Sequence, residues 1–261
     1  MREAIATLRA ACLAGVLVAG LTAVTTAEAY AEQATVAVAA NFKEVLAGLQ
    51  AMFEQDGEHT LTIAAGSTGK LYAQIKNGAP FDILLAADQK RPQLLEEEGD
   101  AVPGSRFTYA IGQIVLWSPN PQRIAADGLD TLKAGDFDNL AIANPDLAPY
   151  GLAAKQSLQH YGLWDALSGK IVMGQNIGQT FAMVATENAQ LGLVAKSYVL
   201  SPGNGKPGSR WDVPAEAYDP IRQDAVLLKR AVDNPAARAF IAFLRSDKAL
   251  AVIERFGYAA E

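Results

Sequence analysis

The chain has 261 residues, half of them apolar, enough for a sizeable core in one large domain or two lobes. Its formal charge of -6 argues against nucleic acid or an anionic membrane as the main partner, because either favours a basic surface. The single cysteine, Cys12, excludes a disulfide framework.

Residues 1–31 have the layout of a cleaved secretory signal peptide. Arg2 and Arg9 precede an apolar run from Ala10 to Val24, and Ala29 and Ala31 supply an Ala-x-Ala cleavage site. The run is short for a membrane span and rich in Ala and Gly. Cys12 lies within it, and Arg9 occupies the position where a lipoprotein signal needs an apolar residue. Cleavage would leave a chain without cysteine, its charge still -6 because Arg2 and Arg9 offset Glu3 and Glu28.

Beyond the leader, short strands alternate with amphipathic helices, the pattern of an α/β fold with mostly parallel sheets. Thr35–Ala40 reads as a buried strand, with Asn41 as N-cap of a helix carrying Phe42, Val45, Leu46, Leu49 and Phe53. "TLTIAA" is the next strand, and a helix with Leu71, Tyr72 and Ile75 ends at Gly78. "FDILLAA" follows, with Asp88 set to cap the helix of Leu94 and Leu95. Thr108–Asn120 reads as one long strand crossing between lobes. The pattern restarts with "LAIAN", a helix opened by Pro149-Tyr150-Gly151, "KIVMG", the helix of "QNIGQTFAMVA" and the strand "LGLVA". "SPGNGKPGSRWDVP" reads as a surface loop. "IRQDAVLLKR" returns the chain to the first lobe, and helices over 235–245 and 248–256 close it. The expected organisation is a first lobe of residues 32–110 plus 222–261 and a second of 111–221, joined by two crossings.

Catalytic constellations are weak. "AAGSTGKL" approaches a phosphate-binding P-loop, but Ala64 replaces the first glycine and Leu71 the Mg²⁺-binding hydroxyl. His59 and His160 sit in no metal-ligand spacing and read as surface histidines. No serine lies in a G-x-S-x-G elbow. Glu96, Glu97 and Glu98 read as a solvated helix end, and Asp82 and Asp88 as cap or lobe contacts. The reading is therefore not an enzyme; an exported hydrolase using the same cleft is the rival from another class.

What recurs is a junction of strand end and helix start: Ala40-Asn41-Phe42, Ser67-Thr68-Gly69, Pro149-Tyr150-Gly151 and Asn176-Ile177-Gly178. Ligands of open parallel sheets bind outside the strands' carboxyl ends. Helix N-termini there offer unpaired N–H groups and partial positive charge, suiting a small anion. Glycine after three of these positions lets backbone approach a ligand closely.

In these junctions, and in "VAVAANFKEVL", "GSTGKLYAQIKNGAPFDILLAADQK", "GSRFTYAIGQIVLWS", "NPDLAPYGLAA", "LGLVA" and "FGY", the chain resembles the periplasmic molybdate-binding proteins (ModA) of bacterial ABC importers. The likeness spans nearly all of it beyond the leader. It implies a two-lobe periplasmic binding protein fold (type II-like) that closes over one tetrahedral oxyanion, molybdate or tungstate, and delivers it to an inner-membrane permease; a monomer is the default expectation. No cofactor is implied, and no protein atom ligates the metal directly.

The resemblance carries ligand roles to Asn41 with Ala40 beside it, to Thr68 through hydroxyl and N–H, and to Tyr150 and Ile177 through backbone N–H, with Ser67 as a further candidate. Some members add a Tyr hydroxyl where this chain has Ala195, so Asn41 is expected to supply that donor. Lys70 is expected at solvent or the lobe rim. Sulfate or a small organic acid is the alternative ligand, the latter needing an arginine such as Arg91, Arg106 or Arg210.

Overall fold

A computed structural model describes residues 32–55 and 58–259. The leader expected over 1–31 lies outside them. In chain order the first elements are β1 (Glu32–Ala39), α1 (Lys43–Glu54), β2 (His59–Gly66), α2 (Thr68–Lys76), β3 (Ile83–Leu85), α3 (Lys90–Glu97) and β4 (Phe107–Gly112). Next come β5 (Ile114–Ser118), α4 (Gly128–Ala134), β6 (Leu140–Ala143), α5 (Pro149–His160), α6 (Trp164–Leu167), β7 (Ile171–Gly174), α7 (Ile177–Ala185), β8 (Leu191–Ala195) and α8 (Lys196–Leu200). The last are β9 (Ser209–Asp212), β10 (Ile221–Leu227), α9 (Pro235–Leu244) and α10 (Asp247–Arg255).

The strands form two five-stranded mixed sheets, ordered β2-β1-β3-β10-β4 and β7-β6-β8-β5-β9. Each has a parallel trio, β1 between β2 and β3 in the first and β6 between β7 and β8 in the second. Each then adds an antiparallel pair, β10 with β4 and β5 with β9. The two sheets are thus built alike, and β1, β2, β6 and β7 hold equivalent places in them. This is the two-lobe binding-protein architecture.

Period-two alternation explains why the central strands carry almost no polar residue. Val36 and Val38 face a core with Phe42, Leu46 and Phe240, while Ala37 between them faces Leu71, Leu84 and Leu95. In the second sheet Ile114 and Leu116 face one core and Val115 and Trp117 the other. Covered on both faces, such strands read as continuous apolar runs.

Two expectations change. The apolar run after Thr108 is two strands, β4 and β5, in different sheets, separated at Gln113. The Gly- and Pro-rich stretch holds β9, an edge strand pairing with β5. Its half-buried, polar side chains hide it from a periodicity reading. No helix among the described residues is long and apolar enough to cross a membrane.

Candidate functional site

The carboxyl ends of β1 and β2 face those of β6 and β7 across a cleft. At its floor is a small cavity, bounded by Ala39–Asn41, Gly66–Thr68 and Ala87 on one side and Ala148–Tyr150, Asn176 and Ile177 on the other. Ala40, Asn41, Ser67, Thr68, Tyr150 and Ile177 all line it. A wider groove shares Ala87 and Pro149 with it and opens toward Lys90, Leu152 and Arg222.

Helix starts converge on the cavity. α2 begins at Thr68, α5 at Pro149 and α7 at Ile177, and a 3-10 turn over Ala40–Phe42 leads into α1. The N–H groups of Asn41, Thr68, Tyr150 and Ile177 stand in first turns, where no preceding helical carbonyl accepts them. Pro149 suits its place, since the first helical position needs no donor. Asn176 caps α7 by accepting the Gln179 N–H at 2.9 Å. Among the described residues, no Asp, Glu, Lys, Arg or His lines the cavity. Its electrostatics come from N–H dipoles, whose positive ends favour an anion.

Two side chains define the first-lobe wall. The Thr68 hydroxyl accepts the Ala87 N–H at 3.0 Å, leaving its own proton to donate into the cleft. Ser67 is the N-cap of α2 but makes no capping bond. Its hydroxyl is buried and has no partner among the described residues. A buried hydroxyl left unpaired costs about 1–3 kcal/mol, so this one calls for a partner from outside the chain.

Asn41 departs from expectation. It is not a helix cap, because Ala40–Phe42 forms a 3-10 turn and Phe42 occupies the cap position of α1. Its Nδ2 donates to Gln223 Oε1 at 2.8 Å and to the Tyr258 hydroxyl at 2.9 Å. Both amide protons are therefore committed below the cleft, and the spare donor expected in place of the absent tyrosine is not the Asn41 side chain. Its Oδ1 is buried and has no partner among the described residues. What Asn41 has left to donate to a ligand is its backbone N–H; its Oδ1 can only accept.

Sequence reasoning missed the layer beneath. Gln223 Oε1 also accepts from the Tyr109 hydroxyl at 3.2 Å, and Gln223 Nε2 donates to the Tyr150 hydroxyl at 3.2 Å. One glutamine on β10 thus joins Asn41 of the first lobe to Tyr150 of the second. Gly112 allows it, since a β-carbon there would overlap the Tyr150 hydroxyl. The Tyr258 hydroxyl donates to the Asn41 carbonyl at 2.9 Å, and Tyr198 to the Ala40 carbonyl at 2.6 Å. Burial raises the pKa of Tyr109, Tyr150 and Tyr258, so all three remain protonated donors at neutral pH. The only advance signal was the closing "FGY", whose tyrosine is Tyr258.

The junction glycines also serve differently from the expectation. A β-carbon at 151 would overlap the Ala143 carbonyl, and one at 178 would stand 2.7 Å from the Tyr198 hydroxyl. These glycines admit neighbouring protein. The arginines that an organic acid would need are engaged: Arg91 with Asp88, Arg106 with Asp224 at 2.6 Å, and Arg210 with Asp212 at 2.8 Å. Lys70 is exposed, as expected. His160 is exposed too, but His59 is half-buried and stacks on Phe53 at 6.4 Å. No group of three or more His, Cys, Asp or Glu among the described residues could hold a metal ion.

Residues 34–259 match the family described as bacterial extracellular solute-binding protein. The molybdate-binding protein ModA of Azotobacter vinelandii is 48% identical over 230 residues, covering 88% of this chain and 91% of that protein. ModA of Rhodobacter capsulatus is 45% identical over 256 residues, covering 98% of each. The solved periplasmic molybdate-binding protein of Azotobacter vinelandii superposes with a TM-score of 0.84 at 40% identity, covering 87% of this chain and 99% of that one. The sulfate-binding protein SubI of Mycobacterium tuberculosis H37Rv has a TM-score of 0.70 at 13% identity, with 87% and 86% covered, a likeness of fold alone.

Proposed function

This chain belongs to the ModA family of bacterial extracellular solute-binding proteins, and we propose that its cleft captures one molybdate or tungstate dianion and delivers it to the permease of an ABC importer. The observation that carries the reading is the Ser67 hydroxyl, buried and unpaired at a cavity where helix N-termini converge and no carboxylate intrudes. The naming of the Azotobacter and Rhodobacter relatives supports molybdate as the solute. A leader over 1–31, export to the periplasm and a monomeric state complete the reading.

A fully ionised oxyanion only accepts hydrogen bonds. The Thr68 hydroxyl, the Ser67 hydroxyl and the N–H groups of Ala40, Asn41, Thr68, Tyr150 and Ile177 are the donors assigned to it. Phosphate near neutral pH keeps a proton, and burying that proton without an acceptor costs about 1–3 kcal/mol. Sulfate carries no proton and is refused by size instead: its shorter bonds leave some donors out of reach. Nanomolar binding needs about 12 kcal/mol. Six to eight charge-assisted bonds at about 1.5–3 kcal/mol each supply that after ordering costs. The two lobes, which divide between β4 and β5 and again just before β10, are the two bodies that close, and closure is what the permease reads.

Isothermal titration of the leader-free chain with molybdate, tungstate, sulfate and phosphate tests this. Tight one-to-one binding of the first two, with sulfate and phosphate weak, is expected. Phosphate bound as tightly as molybdate would mean that an acceptor such as Asn41 Oδ1 takes the ligand's proton, ending the donor-only account. Preference for sulfate would overturn selection by size.

A further inference from the structure

Gly69 follows Thr68 in "GSTGK", and the cavity does not include it. Its N–H donates to the Leu147 carbonyl at 3.0 Å. Gly69 stands in the first turn of α2, against the first sheet, whereas Leu147 lies between β6 and α5, against the second. The bond therefore crosses the cleft directly. It runs beside Thr68 on one wall and Tyr150 on the other, two of the residues assigned to the anion.

A β-carbon at position 69 would stand 3.0 Å from the Leu147 carbonyl oxygen, 3.3 Å from its Cα and 3.1 Å from Arg91 Nη2. Two of those neighbours are backbone of the opposite lobe, which cannot rotate away as a side chain can. Arg91 is held as well: its guanidinium pairs with Asp88, and Nη2 donates to the Asp146 carbonyl at 3.4 Å. Nothing local demands glycine, because Gly69 is not among the residues with positive φ and sits in an ordinary helical turn. In a helix, alanine is favoured over glycine. The missing side chain has its consequence only where the two lobes meet.

We propose that Gly69 is a positioning residue for ligand retention: its lack of a β-carbon lets the two lobes shut until donors from both reach one anion. This rests on the oxyanion reading above and deepens it. A larger residue would leave the open cleft and its diffusional entry unaltered and would penalise only the closed form. The affected step is then release, since weakening of an interface appears mainly in the off-rate.

The test is the leader-free Gly69→Ala protein, loaded with isotopically labelled molybdate and chased with the unlabelled anion. Gly48→Ala serves as control, because a β-carbon there meets nothing within 4 Å. Release from Gly69→Ala is expected to be about tenfold faster or more, with the association rate within about twofold of wild type. Its ligand-free melting temperature should equal or exceed that of wild type. Gly48→Ala should release at the wild-type rate. Release at the wild-type rate from Gly69→Ala would overturn the proposal, as would a ligand-free variant that melts lower, since the glycine would then serve local packing. Failure of the wild type itself to bind molybdate would overturn the oxyanion reading and this proposal together. A binding wild type with an unaltered variant would overturn the proposal alone.

Discussion

Ser67 and Thr68 are neighbours with different obligations. The Thr68 oxygen already serves the Ala87 N–H at 3.0 Å, so Thr68→Ala removes the donor proposed for the ligand and strands a buried N–H. Titration calorimetry should show molybdate affinity reduced by up to about a hundredfold with the fold intact, and Thr68→Ser should recover most of it. Unchanged affinity would remove Thr68 from the site. The Ser67 hydroxyl has no bond to lose among the described residues. Ser67→Ala should leave ligand-free stability unchanged or raise it by about 1 kcal/mol, while weakening molybdate. A denaturant melt beside a titration would separate those opposite signs, and a loss of ligand-free stability would contradict the unpaired hydroxyl. At this scale the sequence made the junction residues readable, because N-terminal helix chemistry is local. The Asn41 amide was not readable, since its partner Gln223 is 182 positions away.

Among the elements, β10 does the most joining. Gln223 is fully buried and next to the register shift at Gln223/Asp224, where the strand's pairing with β4 is irregular. Gln223→Leu leaves the Asn41 amide and the Tyr150 hydroxyl each short of a partner, so chemical denaturation should report a loss of about 2–4 kcal/mol. A loss under about 0.5 kcal/mol would show that these groups find other partners. Strand recognition succeeded where burial on both faces left long apolar words such as "VAVA" and "LAIA". It failed at β5 because nothing in "TYAIGQIVLWS" announces that Gln113 separates two sheets. It failed at β9 because an edge strand flanked by glycine and proline has the composition of a loop.

For the whole molecule, the buried tyrosines set an alkaline limit. Tyr109, Tyr150 and Tyr258 have folded pKa values raised above the ordinary 10.0, chiefly by burial. Their contribution to stability is fully present below about pH 10 and falls as pH rises through the folded values, because the unfolded state releases its protons first. Urea midpoints measured from neutral pH upward should stay level with respect to these groups and then drop beyond about pH 10. A midpoint that rose there would contradict the burial. Ligand acts in the other direction: molybdate at a thousand times its dissociation constant should add about 4 kcal/mol, seen as a melting temperature that climbs with concentration.

The two-lobe plan could be anticipated from the restart of the strand–helix pattern, whereas the polar layer under the cleft required the fold, being made by residues from six separate stretches of chain. That layer has a consequence for the order of events in synthesis. Asn41 rests on the Tyr258 hydroxyl, 217 positions later, and β1 is flanked in its sheet by β3, which in turn needs β10. A ribosome can have released every residue assigned to the anion and still have delivered only half of the support beneath them. The support is complete only with the C-terminal residues: truncation before Tyr258 removes the hydroxyl that meets both the Asn41 amide and the Asn41 carbonyl, and is expected to loosen the first-lobe wall of the cleft.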